Sequence, residues 1–136
     1  MVNWKLLLRD VAIVWAFTGL GGLVIGFTAG ALGAGVGAEV LANPRVQIAV
    51  ALSNLLFGIV AFSIVGALKK TNRFRHLFIV AVGAWLTSAV NMLFAPITLF
   101  QWLMAPFFFL VVTAIGGAIS FLFVAAPKAS SELGSN

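Results

Sequence analysis

The ionic side chains of this sequence are gathered into short clusters, and the uncharged runs between them constrain the fold more than any motif does. Between Asp10 and Glu39 lie 28 uncharged residues, between Arg45 and Lys69 lie 23, and from His76 to Pro127 there are 52. About 20 helical residues cross a hydrocarbon core of about 30 Å, so the first two runs hold one span each. At about 1.5 Å of rise per residue the third is far too long for one span and has to turn. The turn is expected at Ala95-Pro96-Ile97-Thr98, because proline lacks a backbone donor and disfavours helical geometry in the residue before it. The reading predicts spans over 11–32, 46–68, 76–95 and 98–124. They form a single transmembrane domain of residues 1–127, with a kink at Pro106 in the fourth helix. The remaining 128–136 is a small, polar tail and is set aside.

Composition agrees with this class. Hydrophobic residues make up 62% of the chain and charged residues 8%, against about 25% charged in a soluble domain. The first segment has basic residues before an apolar stretch, as a signal peptide does, but that stretch runs well past the usual 7–15 residues. Span one is therefore expected to stay in the mature protein.

Orientation follows from lysine and arginine, which concentrate on the cytoplasmic side of short connections. Lys5 and Arg9 precede span one, Lys69, Lys70, Arg73 and Arg75 lie between spans two and three, and Lys128 follows span four. Only Arg45 falls on the other side. The expected fold is an all-α, integral membrane four-helix bundle, N-in and C-in, and the cation bias suits a bacterial inner membrane. The net charge of +5 is explained by this topology and by anionic headgroups, and nucleic acid is not an expected partner.

Projected at about 100° per residue, each span gathers its small and polar residues on one face. On span one, Gly19, Gly22, Gly26, Gly30 and Gly33 align, and Gly22, Gly26 and Gly30 form a doubled GxxxG. Such a stripe lets a second backbone approach closely where lipid supplies no hydrophobic drive. Gln47 and Asn54 on span two, Asn91 on span three and Gln101 on span four all fall in the outer half of the membrane. They are expected either to fix the register of the helices or to line a polar recess.

Chemistry is sparsely supplied. There is no cysteine, so no disulfide or thiolate metal site is available. The single histidine, His76, lacks neighbouring ligands for a metal and is expected to anchor at the inner interface. Asp10, beside Arg9, is read as favouring the N-terminal dipole of span one. Trp4 and Trp102 are assigned to the aromatic belts, while Trp15 and Trp85 lie deeper. Apart from His76 at the inner edge of span three, spans two to four contain no ionisable residue, and such a residue is the usual mark of an ion pathway. The glycine-rich 33–38 does not match a phosphate-binding loop, and no cofactor is expected.

The leading expectation is a scaffold or subunit that works by helix packing, as a homo-oligomer or with another membrane protein in the lipid bilayer. The alternative is an oligomeric passive channel or carrier for a neutral or anionic solute or lipid group, using the outer amides. An enzyme is not expected. A lipid-directed one built on Asp10 or Glu39 with His76 is disfavoured because the acid and the histidine are placed on opposite sides of the bilayer.

Overall fold

Short polar side chains begin three of the helices. Asn3 Oδ1 accepts from the N–H of Leu6 at 3.3 Å, Asn43 Oδ1 accepts from Arg45 N–H at 2.9 Å ahead of Pro44, and Thr98 forms a capping box with Gln101. Each satisfies donors that a helix start leaves without a partner. The resulting computed structural model, described for residues 3–31, 43–69, 71–93 and 98–123, contains helices α1 (Trp4–Ala31), α2 (Pro44–Ala67), α3 (Arg73–Thr87) and α4 (Leu99–Ile119). Helix α3 passes into a 3₁₀ segment, Ser88–Leu93. Four helices are long and apolar enough to cross a membrane, and the chain is an integral membrane protein by that criterion.

Two expectations change at once. Because Asn3 caps α1, the helix starts seven residues before the predicted 11, and Asp10 sits in its second turn rather than at its start. Pro106 lies within α4, the fourth helix, as expected. The proposed turn at 95–97 and the residues Gly33 and Glu39 lie outside the described residues.

The helices run up and down in turn. Asp10 meets His76 and Trp15 meets Thr87, so α1 and α3 are parallel. Gly58 faces Val112 and Gly66 faces Ser120, a constant offset that makes α2 and α4 parallel. Around the bundle, α1 lies against α2, α2 against α4, α4 against α3, and α3 more loosely against α1.

The tightest approach is between α2 and α4. A Cβ on Gly116 would lie 2.7 Å from Phe62 Cβ, 2.9 Å from the Ile59 carbonyl oxygen and 3.1 Å from the Ser63 nitrogen. Only hydrogen fits there. The buried core is densest around this crossing, where Ala61, Phe62 and Val65 of α2 meet Leu77, Val80 and Ala81 of α3 and Val112 of α4.

By contrast, a Cβ on Gly19, Gly22 or Gly26 would meet nothing within 4 Å. Among the described residues no neighbouring helix packs on Gly19, Gly22 or Gly26 of the stripe; α1 instead touches α2 through Gly21, against Ser53 and Phe57. Gly30 lies in the last turn of α1. The buried Thr113 hydroxyl has no hydrogen-bond partner. Leaving a buried polar group unpaired costs about 1–3 kcal/mol, so Thr113→Val should raise the stability of the bundle or leave it unchanged. Unfolding by sodium dodecyl sulfate, followed by circular dichroism, checks this.

Candidate functional site

Towards the far end of the bundle from the Asp10 and His76 contact, the packing loosens into a cavity of about 340 Å³. All four spans contribute: Thr18 and Gly19 from α1, Asn54 from α2, Ser88 and Asn91 from the 3₁₀ segment, and Phe108 from α4 are among its walls. The volume falls in the range of about 300–1,000 Å³ typical of ligand pockets.

Its polar groups differ in what they do. Thr18 Oγ1 donates back to the Val14 carbonyl at 2.9 Å, and Ser88 Oγ donates to the Trp85 carbonyl at 2.6 Å. The carboxamides of Asn54 and Asn91 form no hydrogen bond with any described residue. An unpaired amide among apolar helices costs several kcal/mol unless water or a solute satisfies it. Of the four amides expected to act together, Asn54 and Asn91 line this cavity.

The other two do not line it. Gln101 occupies the third position of α4, where its Oε1 accepts from Thr98 N–H at 2.9 Å and from Thr98 Oγ1 at 3.2 Å. Gln47 lies on the exposed first turns of α2. Both share a depth with Asn54 and Asn91, as read from the sequence, but depth alone does not bring side chains together.

Ser88, in the cavity wall, joins a tryptophan linkage that sequence reasoning missed. Pro106 has no N–H, so the carbonyl of Trp102, four residues earlier, lacks its helical donor. The indole Nε1–H of Trp85 donates to that carbonyl at 3.0 Å. In return the Trp102 indole donates to the Trp85 carbonyl at 3.3 Å and to Ser88 Oγ at 3.2 Å. The rings stack with centroids 4.6 Å apart. Trp102 therefore makes a bundle contact that its assignment to the aromatic belt did not include. A tryptophan four residues before a helical proline was the available signal. Trp85→Phe should cost about 1 kcal/mol, and the cost should shrink in a Pro106→Ala background, where the restored N–H satisfies the Trp102 carbonyl. A double-mutant cycle in dodecyl sulfate unfolding reads both numbers.

The chain was compared with known proteins. It matches no family model, no curated protein and no solved structure.

At the opposite end, the charged residues form contacts between helices. Asp10 is 2% exposed; its Oδ2 lies 2.7 Å from His76 Nε2, and its Oδ1 accepts from Arg9 at 2.7 and 2.8 Å. The expected separation of acid and histidine across the bilayer is thus wrong for Asp10: both residues fall in charge clusters at the same end, and the α1 register turns Asp10 toward α3. His76 joins two helices rather than only anchoring at the interface.

Arg73, 7% exposed, has no carboxylate partner among the described residues. Its Nε donates to the Lys69 carbonyl at 3.1 Å and its NH1 group to Ser120 Oγ at 3.1 Å, and the guanidinium sits 4.1 Å over the Phe121 ring. The C-terminal ends of α2 and α4 both lie here, and their partial negative charges favour a cation. Among the described residues no three His, Cys, Asp or Glu side chains are grouped to hold a metal.

Proposed function

We propose that this small multi-pass membrane protein provides a polar chamber for a small neutral or anionic solute or lipid group, acting as a passive channel or carrier in an oligomer. The observation that carries the reading is the pair of unpaired amides, Asn54 and Asn91, in one cavity bordered by all four spans. A register-fixing amide network would have bonded them to each other or to neighbouring helices. The reading includes an N-in, C-in orientation in a bacterial inner membrane, supported by the basic end formed by Lys5, Arg9, Lys69, Arg73 and Arg75. It assigns no catalytic residue.

Flux into liposomes tests it, with glycerol and urea as neutral probes and acetate as an anionic one. Liposomes holding the wild-type protein should pass at least one probe several-fold faster than empty liposomes. Asn54→Leu combined with Asn91→Leu should return the rate to that of empty liposomes. Equal flux in wild type and double variant would exclude the chamber as the path.

The second reading is a scaffold or subunit that packs on a partner helix. Its support is the open face of α1 at Gly22 and Gly26, which offers the close backbone approach that membrane helices exploit. Gly26→Leu should then lower the oligomeric mass in mild detergent without unfolding the chain.

A further inference from the structure

A second hollow, of about 250 Å³, lies at the basic end of the bundle. Lys69, Arg75 and His76 line it together with the polar Asn3, Thr71 and Asn72, and no carboxylate is among its walls. Asp10 engages His76 from elsewhere, through Nε2, and no described residue bonds the other ring nitrogen. The floor is apolar, formed by Leu6 and Ile79. This is the composition of an anion site at the boundary between headgroups and hydrocarbon.

Local backbone structure adds to the charge. Asn72 adopts a left-handed conformation, φ 50°, and makes no side-chain cap to α3. The first turn of a 15-residue helix therefore begins at the hollow without the side-chain acceptor that caps α1, α2 and α4. Helix N-termini favour anions through their free N–H groups and their dipole. Two Lys or Arg side chains, a histidine and a helix start converge on one concave space.

We propose that this hollow binds a phosphate-bearing anion, either the headgroup of an anionic phospholipid or a soluble phosphate ester. The site is separate from the chamber and does not depend on it. Lys69 and Arg75 neutralise the phosphate charge, Thr71, Asn72 and Asn3 supply hydrogen bonds, and Leu6 and Ile79 lie where an acyl chain would leave the headgroup.

Native mass spectrometry of the full chain in neutral detergent tests this with three probes: short-chain phosphatidylglycerol, short-chain phosphatidylcholine and glycerol 3-phosphate. Phosphatidylglycerol is expected to bind well above phosphatidylcholine. Binding of glycerol 3-phosphate as well identifies the soluble ester as a sufficient ligand, and its failure to bind identifies the lipid headgroup. Lys69→Gln with Arg75→Gln should weaken binding about thirtyfold, at about 1 kcal/mol for each cation and 1.4 kcal/mol per factor of ten. Arg75 is exposed, so Arg75→Glu alone is a second test that folding does not confound. Arg45→Gln, at the far end of α2, should leave binding unchanged. The proposal is overturned if neither anionic probe binds above phosphatidylcholine, or if both the double variant and Arg75→Glu retain wild-type binding.

Discussion

Gly116→Leu is expected to prevent α2 and α4 from closing against each other. A leucine needs space that Phe62 and the backbone of Ile59 and Ser63 already fill at 2.7–3.1 Å from the first added carbon. A side chain can rotate away, but two of these three atoms belong to the main chain of α2. Overpacking a core costs about 1–3 kcal/mol when neighbours can adjust; here the helix itself must move, so the loss should reach or exceed the upper end of that range. Dodecyl sulfate unfolding reads it, and Gly22→Leu is the comparison. Its Cβ meets nothing within 4 Å, so that variant should unfold like wild type.

Asp10→Leu should be the next most damaging change. The carboxylate is almost fully buried and holds both Arg9 and His76. Hydrogen bonds to charged groups contribute about 1.5–3 kcal/mol, so removal of the acceptor should cost about 2 kcal/mol or more. Part of that loss comes from His76, which is left largely buried without its partner. A cycle of Asp10→Asn and His76→Gln should show a coupling of at least about 0.5 kcal/mol, as for residues in direct contact. Additive single effects would mean that the contact contributes nothing.

The sequence reveals the four spans because the cost of placing charge in hydrocarbon leaves long uncharged runs. It also reveals that Asn54 and Asn91 share a depth and an inward direction. It does not reveal which helix meets which. The glycine stripe of α1 and the small residues Thr113, Gly116 and Ser120 of α4 look alike as local patterns, yet only the second lies at a helix crossing. In helices that are apolar on every side, the pattern of one helix does not point to its neighbour. The pairing of Asp10 with His76, 66 positions apart, and the burial of Arg73 depend on that missing neighbour relation. The tryptophan exchange was closer to legible, since Pro106 identifies Trp102 as the carbonyl in need of a donor.

Span boundaries moved for reasons that capping supplies. Asn3 and Asn43 extend α1 and α2 upstream of the predicted 11 and 46. Gln101 was chosen as a recess residue on depth, but the capping box at Thr98 holds its side chain. A capping box is readable as Thr followed three positions later by Gln, and that signal was present.

The most direct measurement of the chamber uses the absence of cysteine from the sequence. Asn54→Cys and Leu56→Cys, two positions on α2 at nearly equal depth, are each reacted in proteoliposomes with a membrane-impermeant methanethiosulfonate reagent. Leu56 faces outward from the bundle, whereas Asn54 lines the cavity. The cysteine thiolate attacks the reagent and displaces its sulfinate, and forming the thiolate requires water. A hydrated chamber predicts labelling of Asn54→Cys at least about tenfold faster than Leu56→Cys, and equal, slow labelling of the two would contradict it.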